Sequence, residues 1–243
     1  MGRRDESIGQ TQNPASCFLE WRSDEGTFSF WDKDSETRVP IDLPLRFLVL
    51  KQMIRITGFD EIRQQGIYSN EVKDIRYSPF NVRYQDGTPL AKGLYSEIKP
   101  TLKAAMAQYS KSIYAMSEKG ELICIRIKGQ GLMSWENSIG KGGQRWQDEW
   151  VSVADFETRE HNRDGQTETY SVPIFKFDGS LGKDQDEYAE GLYEQIDTYF
   201  KFAGSAQPEA QQPLPAPAST VTMPQTAAAT LPLTPEDDDD LPF

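Results

Sequence analysis

The chain has 243 residues, with 26 Lys or Arg against 38 Asp or Glu and a net charge of −12. One histidine, His161, and two cysteines, Cys17 and Cys124, exclude zinc sites built from Cys and His and most mechanisms that need a histidine base. No run of 18 apolar residues is present, so no membrane-spanning helix and no membrane partner is expected.

The first segment, residues 1–13, is polar and lacks the apolar stretch of a secretory signal. It is expected to be disordered, the location cytoplasmic, and the two thiols reduced and in the core. Residues 14–203, roughly 190, suit one domain with a full-sized core. Cys17 to Trp21 and Thr27 to Trp31 are short and aromatic, and Ser23-Asp24-Glu25-Gly26 between them predicts a hairpin turn. Arg46 to Thr57 alternates: Leu48, Leu50, Ile54 and Ile56 form an apolar face, while Lys51, Met53 and Arg55 form a basic outer one. Ser96 to Gln108 predicts a short helix with Pro100 in its first turn. Lys111 to Met116 and Glu121 to Lys128 predict a hairpin, with Ile123, Ile125 and Ile127 opposite Cys124, Arg126 and Lys128. Gly129 to Glu149, with five glycines, reads as a long flexible loop. Trp150 to Thr158 and Thr167 to Phe177 predict a second hairpin around Asn162-Arg163-Asp164-Gly165. Asp184 to Phe202 predicts an amphipathic helix with Tyr188, Leu192, Ile196, Tyr199 and Phe200 on one stripe. The fold class is therefore mainly β with two helices.

Charge is unevenly spread. Residues 73–145 hold 12 basic and 6 acidic side chains, whereas residues 146–203 hold 5 and 14. Local field rather than net charge attracts phosphate, so the basic middle is where a nucleic acid would bind. Single strands are bound by cations interleaved with aromatic platforms. Two clusters have that composition: Arg76, Tyr77, Phe80, Arg83 and Tyr84, and Trp135, Lys141, Arg145 and Trp146 in the glycine-rich segment. Lys51, Arg55, Arg126 and Lys128 are phosphate contacts if their two strands face one groove.

Enzyme motifs are weak. Gly140-Lys141-Gly142-Gly143 lacks the spacing of a phosphate-binding loop and the Ser or Thr after Lys. Glu71-Val72-Lys73 and Glu97-Ile98-Lys99 have the Glu-x-Lys form found in metal-dependent nucleases, but neither Asp60 nor Asp86 supplies a fitting partner. No enzyme activity, metal or cofactor is expected, with a nuclease retained as the lesser alternative.

From Gly204 to Glu236 there are seven prolines, seven alanines and no Lys or Arg. Such a stretch cannot bury enough apolar surface to offset its ordering entropy, so a disordered tether is expected. It runs into Asp237, Asp238, Asp239, Asp240, Leu241, Pro242 and Phe243. Four carboxylates offer long-range attraction to a basic partner surface, Pro242 restricts the backbone, and Phe243 supplies a ring for an apolar pocket. This tip resembles that of bacterial and phage single-stranded-DNA-binding proteins, which end in several aspartates, a short hydrophobe, Pro and Phe. The resemblance covers about seven residues and the style of the tether. It implies an OB-like antiparallel barrel in residues 14–203 that binds single-stranded DNA. It also implies a tip that recruits replication, recombination and repair proteins. A recombination mediator or annealing protein is an alternative of the same class. Homo-oligomerisation is left open, and the chain's body does not align with the short bacterial domain.

Overall fold

The computed structural model describes residues 12–140, 145–163 and 166–203. Its strands are β1 (Cys17–Arg22), β2 (Thr27–Asp32), β3 (Thr37–Ile41), β4 (Leu45–Asp60), β5 (Gln65–Ser69), β6 (Phe80–Tyr84), β7 (Pro89–Gly93), β8 (Ala107–Ser117), β9 (Leu122–Lys128), β10 (Glu149–Arg163) and β11 (Gln166–Ser180). The helices are α1 (Tyr95–Ala104), α2 (Gly129–Ser138), the short α3 (Arg145–Asp148) and α4 (Lys183–Ala203). The residues up to 11, Lys141, the Asp164-Gly165 turn, the tether and the acidic tip lie outside the described residues.

The fold is mainly β, with a late helix, as the composition and periodicity implied. The expected antiparallel barrel is not formed. Nine strands run in the order β3-β2-β1-β9-β8-β4-β5-β6-β7, and the β10–β11 hairpin joins through β4, giving an open sheet. It is also mixed, because β1 and β9 run parallel, with Cys17 opposite Ile123 and Glu20 opposite Arg126. The end strands β3 and β7 carry Pro40 and Pro89. A proline has no N–H to give to a further strand, which discourages closure and edge pairing.

Strand β4 organises the sheet. It pairs with β8 along most of its length, with β5 at one end and with β10 at the other. The expected alternation along it is broken by a bulge between Val49 and Lys51. One extra residue reverses which face the following side chains occupy. Leu48 and Leu50 therefore share a face with Lys51, Met53 and Arg55, while Val49, Ile54 and Ile56 point the other way.

Three apolar clusters meet on this strand. Phe47 and Val49 join Phe28, Ile113, Ile125 and Val151 beneath α2. Ile56 joins Ile67, Phe80 and Val82 beneath Ile98 and Leu102 of α1. On the other face, Leu48, Leu50 and Met53 join Tyr114 and Cys124 against Ala189, Leu192 and Ile196 of α4. Helices α1 and α2 thus cover one side of the sheet and α4 part of the other. Burying Leu192 and Ile196 contributes about 1.5–3 kcal/mol each to holding α4 in place.

Several expectations are corrected here. The glycine-rich segment is not a loop over its first half but helix α2, whose Leu132 and Trp135, with Ile139 capping its end, recur at helical spacing and are buried. Trp135 is 0% exposed, packs against Phe47 and Phe175, and donates its indole N–H to Gln52 Oε1 at 3.1 Å. It cannot offer a face to a base. Phe80 and Tyr84 alternate with Val82 on the core face of β6 and are likewise unavailable as platforms. The first helix ends at Ala104 with Pro100 inside it, and β8 begins at Ala107, earlier than expected.

Truncating Trp135 to Ala is expected to cost about 3–5 kcal/mol of unfolding free energy. Urea denaturation measures it; an unchanged midpoint would contradict the buried assignment.

Candidate nucleic-acid interface

On the sheet face that α4 partly covers, the register lines up residues distant in sequence. Lys51 of β4 lies opposite Tyr114 of β8, which lies opposite Cys124 of β9, which lies opposite Phe18 of β1. The next row is Met53, Ser112, Arg126 and Glu20, and the one after is Arg55, Ser110 and Lys128. The same face continues to Thr57 and Tyr68, then Arg83 of β6 beside Tyr68. Asn81 alternates with Arg83 on β6 and brings Lys92 of β7 onto this face. Toward the other edge lie Trp31 and Arg38, which pair across β2 and β3. Arg126 and Arg83 are separated by four strand spacings, about 19 Å.

The side chains of Lys51, Arg55, Arg126 and Lys128 all belong to one face of the open sheet. Their availability differs. Lys128 is exposed and Arg126 half-buried, its guanidinium 4.3 Å from the centre of the Phe18 ring. Neither has a carboxylate within salt-bridge range among the described residues. Arg83 is half-buried and donates from Nε to Asn81 Oδ1 at 3.3 Å. Arg55 is 2% exposed, lies 5.9 Å from the Tyr68 ring, and its burial lowers its pKa. It is a support beneath the face rather than a surface contact. Lys51 is capped by Asp197 of α4 at 2.9 Å.

The remaining sequence candidates lie elsewhere. Tyr77 is 76% exposed in the loop between β5 and β6, and Arg76 beside it is held by both Asp74 oxygens at 3.0 and 2.6 Å. These bonds lower the Asp74 pKa to about 2. Arg145 makes two bonds to Glu149 at 2.8 and 2.9 Å, and Trp146 packs against the cluster beneath α2, on the opposite side of the sheet. Lys92, Phe18, Tyr68 and Trp31 were missed by local inspection. Their common feature is alternation out of phase with core residues, and their grouping follows only from strand order.

The two Glu-x-Lys sites have other duties. Glu71 accepts hydrogen bonds from the Ser112 hydroxyl and from the Tyr114 hydroxyl, the latter at 2.7 Å. Asn13, assigned from sequence to the disordered segment, donates to the same Tyr114 oxygen at 2.9 Å. Burial first and the Glu71 charge second raise the Tyr114 pKa, so the phenol stays a donor. Glu97 accepts the Leu94 N–H at 2.9 Å and so caps α1. No group of three or more His, Cys, Asp or Glu among the described residues is arranged to hold a metal ion. No described helix is long and apolar enough to cross a membrane. Cys124 is buried, which pushes its thiol up to about 12, and Cys17 is pushed up to about 11 by the same cause.

No family model, curated protein or solved structure matches this chain.

Replacing Glu71 with Ala should cost about 1–3 kcal/mol by leaving two hydroxyls on the sheet face without their acceptor, with Gln recovering part of the loss. Chemical denaturation of the three proteins checks this. The pKa of Asp197 is lowered to about 2, first by Lys201 and then by Lys51. Because the folded value lies below the ordinary 3.8, this contribution is complete above about pH 4 and is lost as pH falls through about 2. NMR of the α4 amides across that window should show loosening of its last turns.

Proposed function

We propose that this protein binds single-stranded DNA on the sheet face carrying Arg126, Lys128, Arg83 and Lys92, and recruits replication, recombination or repair proteins through Asp237 to Phe243. The observation that carries the reading is the gathering of those four cations, from three separate strands, with partly buried Phe18, Tyr68 and Trp31 on the same face. Cations contact phosphates and rings stack on bases whatever their sequence. Many other cations in the chain are already matched: Arg22, Arg38, Arg46, Arg76, Lys111 and Arg159 each have a carboxylate partner. Arg126, Lys128, Arg83 and Lys92 have no carboxylate within salt-bridge range among the described residues, which in a chain of net charge −12 suits an anionic ligand.

The proposal does not need an OB-type barrel, since an open sheet can present the same combination of cations and rings. It needs no metal, cofactor or catalytic group, and it places the protein in the cytoplasm of a bacterial or phage-infected cell. The tip supports the partner half of the reading through its sequence alone.

Fluorescence anisotropy with labelled oligo(dT) tests the DNA half. Binding should weaken with salt and resist competition by duplex. Lys128→Glu and Arg83→Glu should each weaken it, with each lost phosphate contact lowering the log–log salt slope by about 0.7. Failure of the wild-type chain to bind at low salt would overturn the reading. For the partner half, Phe243→Ala should keep oligo(dT) affinity while losing binding to purified bacterial replication and repair enzymes on a sensor surface.

A further inference from the structure

Helix α4 carries six carboxylates and two lysines, and it lies over part of the face that the proposed function assigns to DNA. Its attachment is uneven. Ala189, Leu192 and Ile196 are buried against the sheet, but beyond Ile196 no described residue of the helix is fully buried, and Lys201 and Phe202 are exposed. Among the contacts of these last turns with the sheet are an ion pair and a ring contact. Asp197 accepts from Lys51 Nζ at 2.9 Å and from Lys201 Nζ at 2.7 Å. The Phe200 ring meets the Tyr114 ring edge-on at 5.4 Å. Lys51 Nζ lies 5.3 Å from the Phe200 ring centre and 5.4 Å from that of Tyr193, and its side chain is only 15% exposed.

A lysine beside two rings, with Tyr114 opposite it on the neighbouring strand, has the composition of a nucleotide subsite, a cation for phosphate and π-faces for a base. Here a carboxylate occupies the cation. Lys51 and Arg126 share the face, two strands and two residues apart, which sets their Cα atoms about 12 Å from each other. A strand anchored at Arg126 and Lys128 therefore reaches the edge of α4 within a few nucleotides.

We propose that Lys51, Tyr114 and Tyr193 form a concealed nucleotide subsite, closed by Asp197 and the Phe200 ring, and that single-stranded DNA opens it by exchanging a backbone phosphate for that carboxylate. The exchange is an ion-pair swap with no covalent step. It releases the last turns of α4 while Leu192 and Ile196 keep the rest of the helix docked. This rests on the nucleic-acid reading of the face.

Two measurements on the full chain test it. Amide hydrogen exchange with and without oligo(dT) should show residues 197–202 losing protection when DNA binds, the reverse of what simple coverage by a ligand produces. Asp197→Asn should tighten oligo(dT) binding about fivefold at low salt, the value of one half-exposed ion pair. The double variant Lys51→Gln with Asp197→Asn should show no such gain. If wild-type protein binds oligo(dT) but these amides keep or gain protection and Asp197→Asn does not bind more tightly, the concealed subsite is wrong and the DNA reading stands. If neither wild type nor Asp197→Asn binds oligo(dT), the DNA reading itself falls.

Discussion

The bulge in β4 is the constraint on which the rest of this architecture depends. A 16-residue strand that kept strict alternation would place Leu48 and Leu50 on the same side as Ile54 and Ile56. The extra residue instead sends Leu48 and Leu50 toward α4 and leaves Ile56 to the cluster beneath α1. One strand thereby feeds three apolar clusters on two faces. The same slip aligns Lys51 with Tyr114 and Met53 with Ser112, which puts Lys51 and Arg55 on the same face as Arg126 and Lys128. The division of β4 among three apolar clusters and the placing of Lys51 and Arg55 on the cationic face both follow from a single backbone irregularity.

The second organising feature is how charge is matched. A chain of net −12 does not repel phosphate everywhere, because screening confines each field to about 8–10 Å. Acidic side chains concentrate on α4 and on the β10–β11 hairpin, and the sheet face keeps cations with rings beside them. Acid meets that face at Glu20, which pairs with Arg38 at 3.5 Å, and at Asp197, which does so through the helix and caps one lysine. At Glu71 it does so through the hydroxyls of Ser112 and Tyr114, which ties the segment after β5 to the middle of the sheet. Buried Arg55 lies near Glu71 and Tyr114, so the face is underpinned by charged and hydrogen-bonded groups rather than by apolar packing alone.

Local pattern reported some elements well. The hairpin at Ser23 to Gly26, the strand ending at Lys128 and the helix carrying Leu192 and Ile196 each follow from period or turn chemistry within a dozen residues. The same kind of inspection misjudged Trp135, Phe80 and Tyr84. A ring beside Arg, Lys and Gly has the composition of a stacking platform, yet composition says nothing about direction. The helical spacing of Leu132, Trp135 and Ile139, and the alternation of Phe80, Val82 and Tyr84, carried the signal that all six face the core. Glu71 and Glu97 show a similar limit: a triplet that suits a metal ligand serves equally well as a hydroxyl acceptor or a helix cap.

By itself the sequence determined the β-rich class, the amphipathic late helix, the uneven distribution of charge, and the Pro- and Ala-rich composition of residues 204–236 ahead of four aspartates and Leu-Pro-Phe. All of these are properties of composition and short-range period, which neighbouring residues set without help from the rest of the chain. Only the tertiary structure decided that the sheet is open and mixed, that β1 lies parallel to β9, and that Phe18, Arg126, Lys51 and Asp197 belong to one neighbourhood. Strand order and the phase shift at a bulge depend on pairings between segments a hundred residues apart, chosen by how three apolar clusters close together. No local window of the sequence contains that choice.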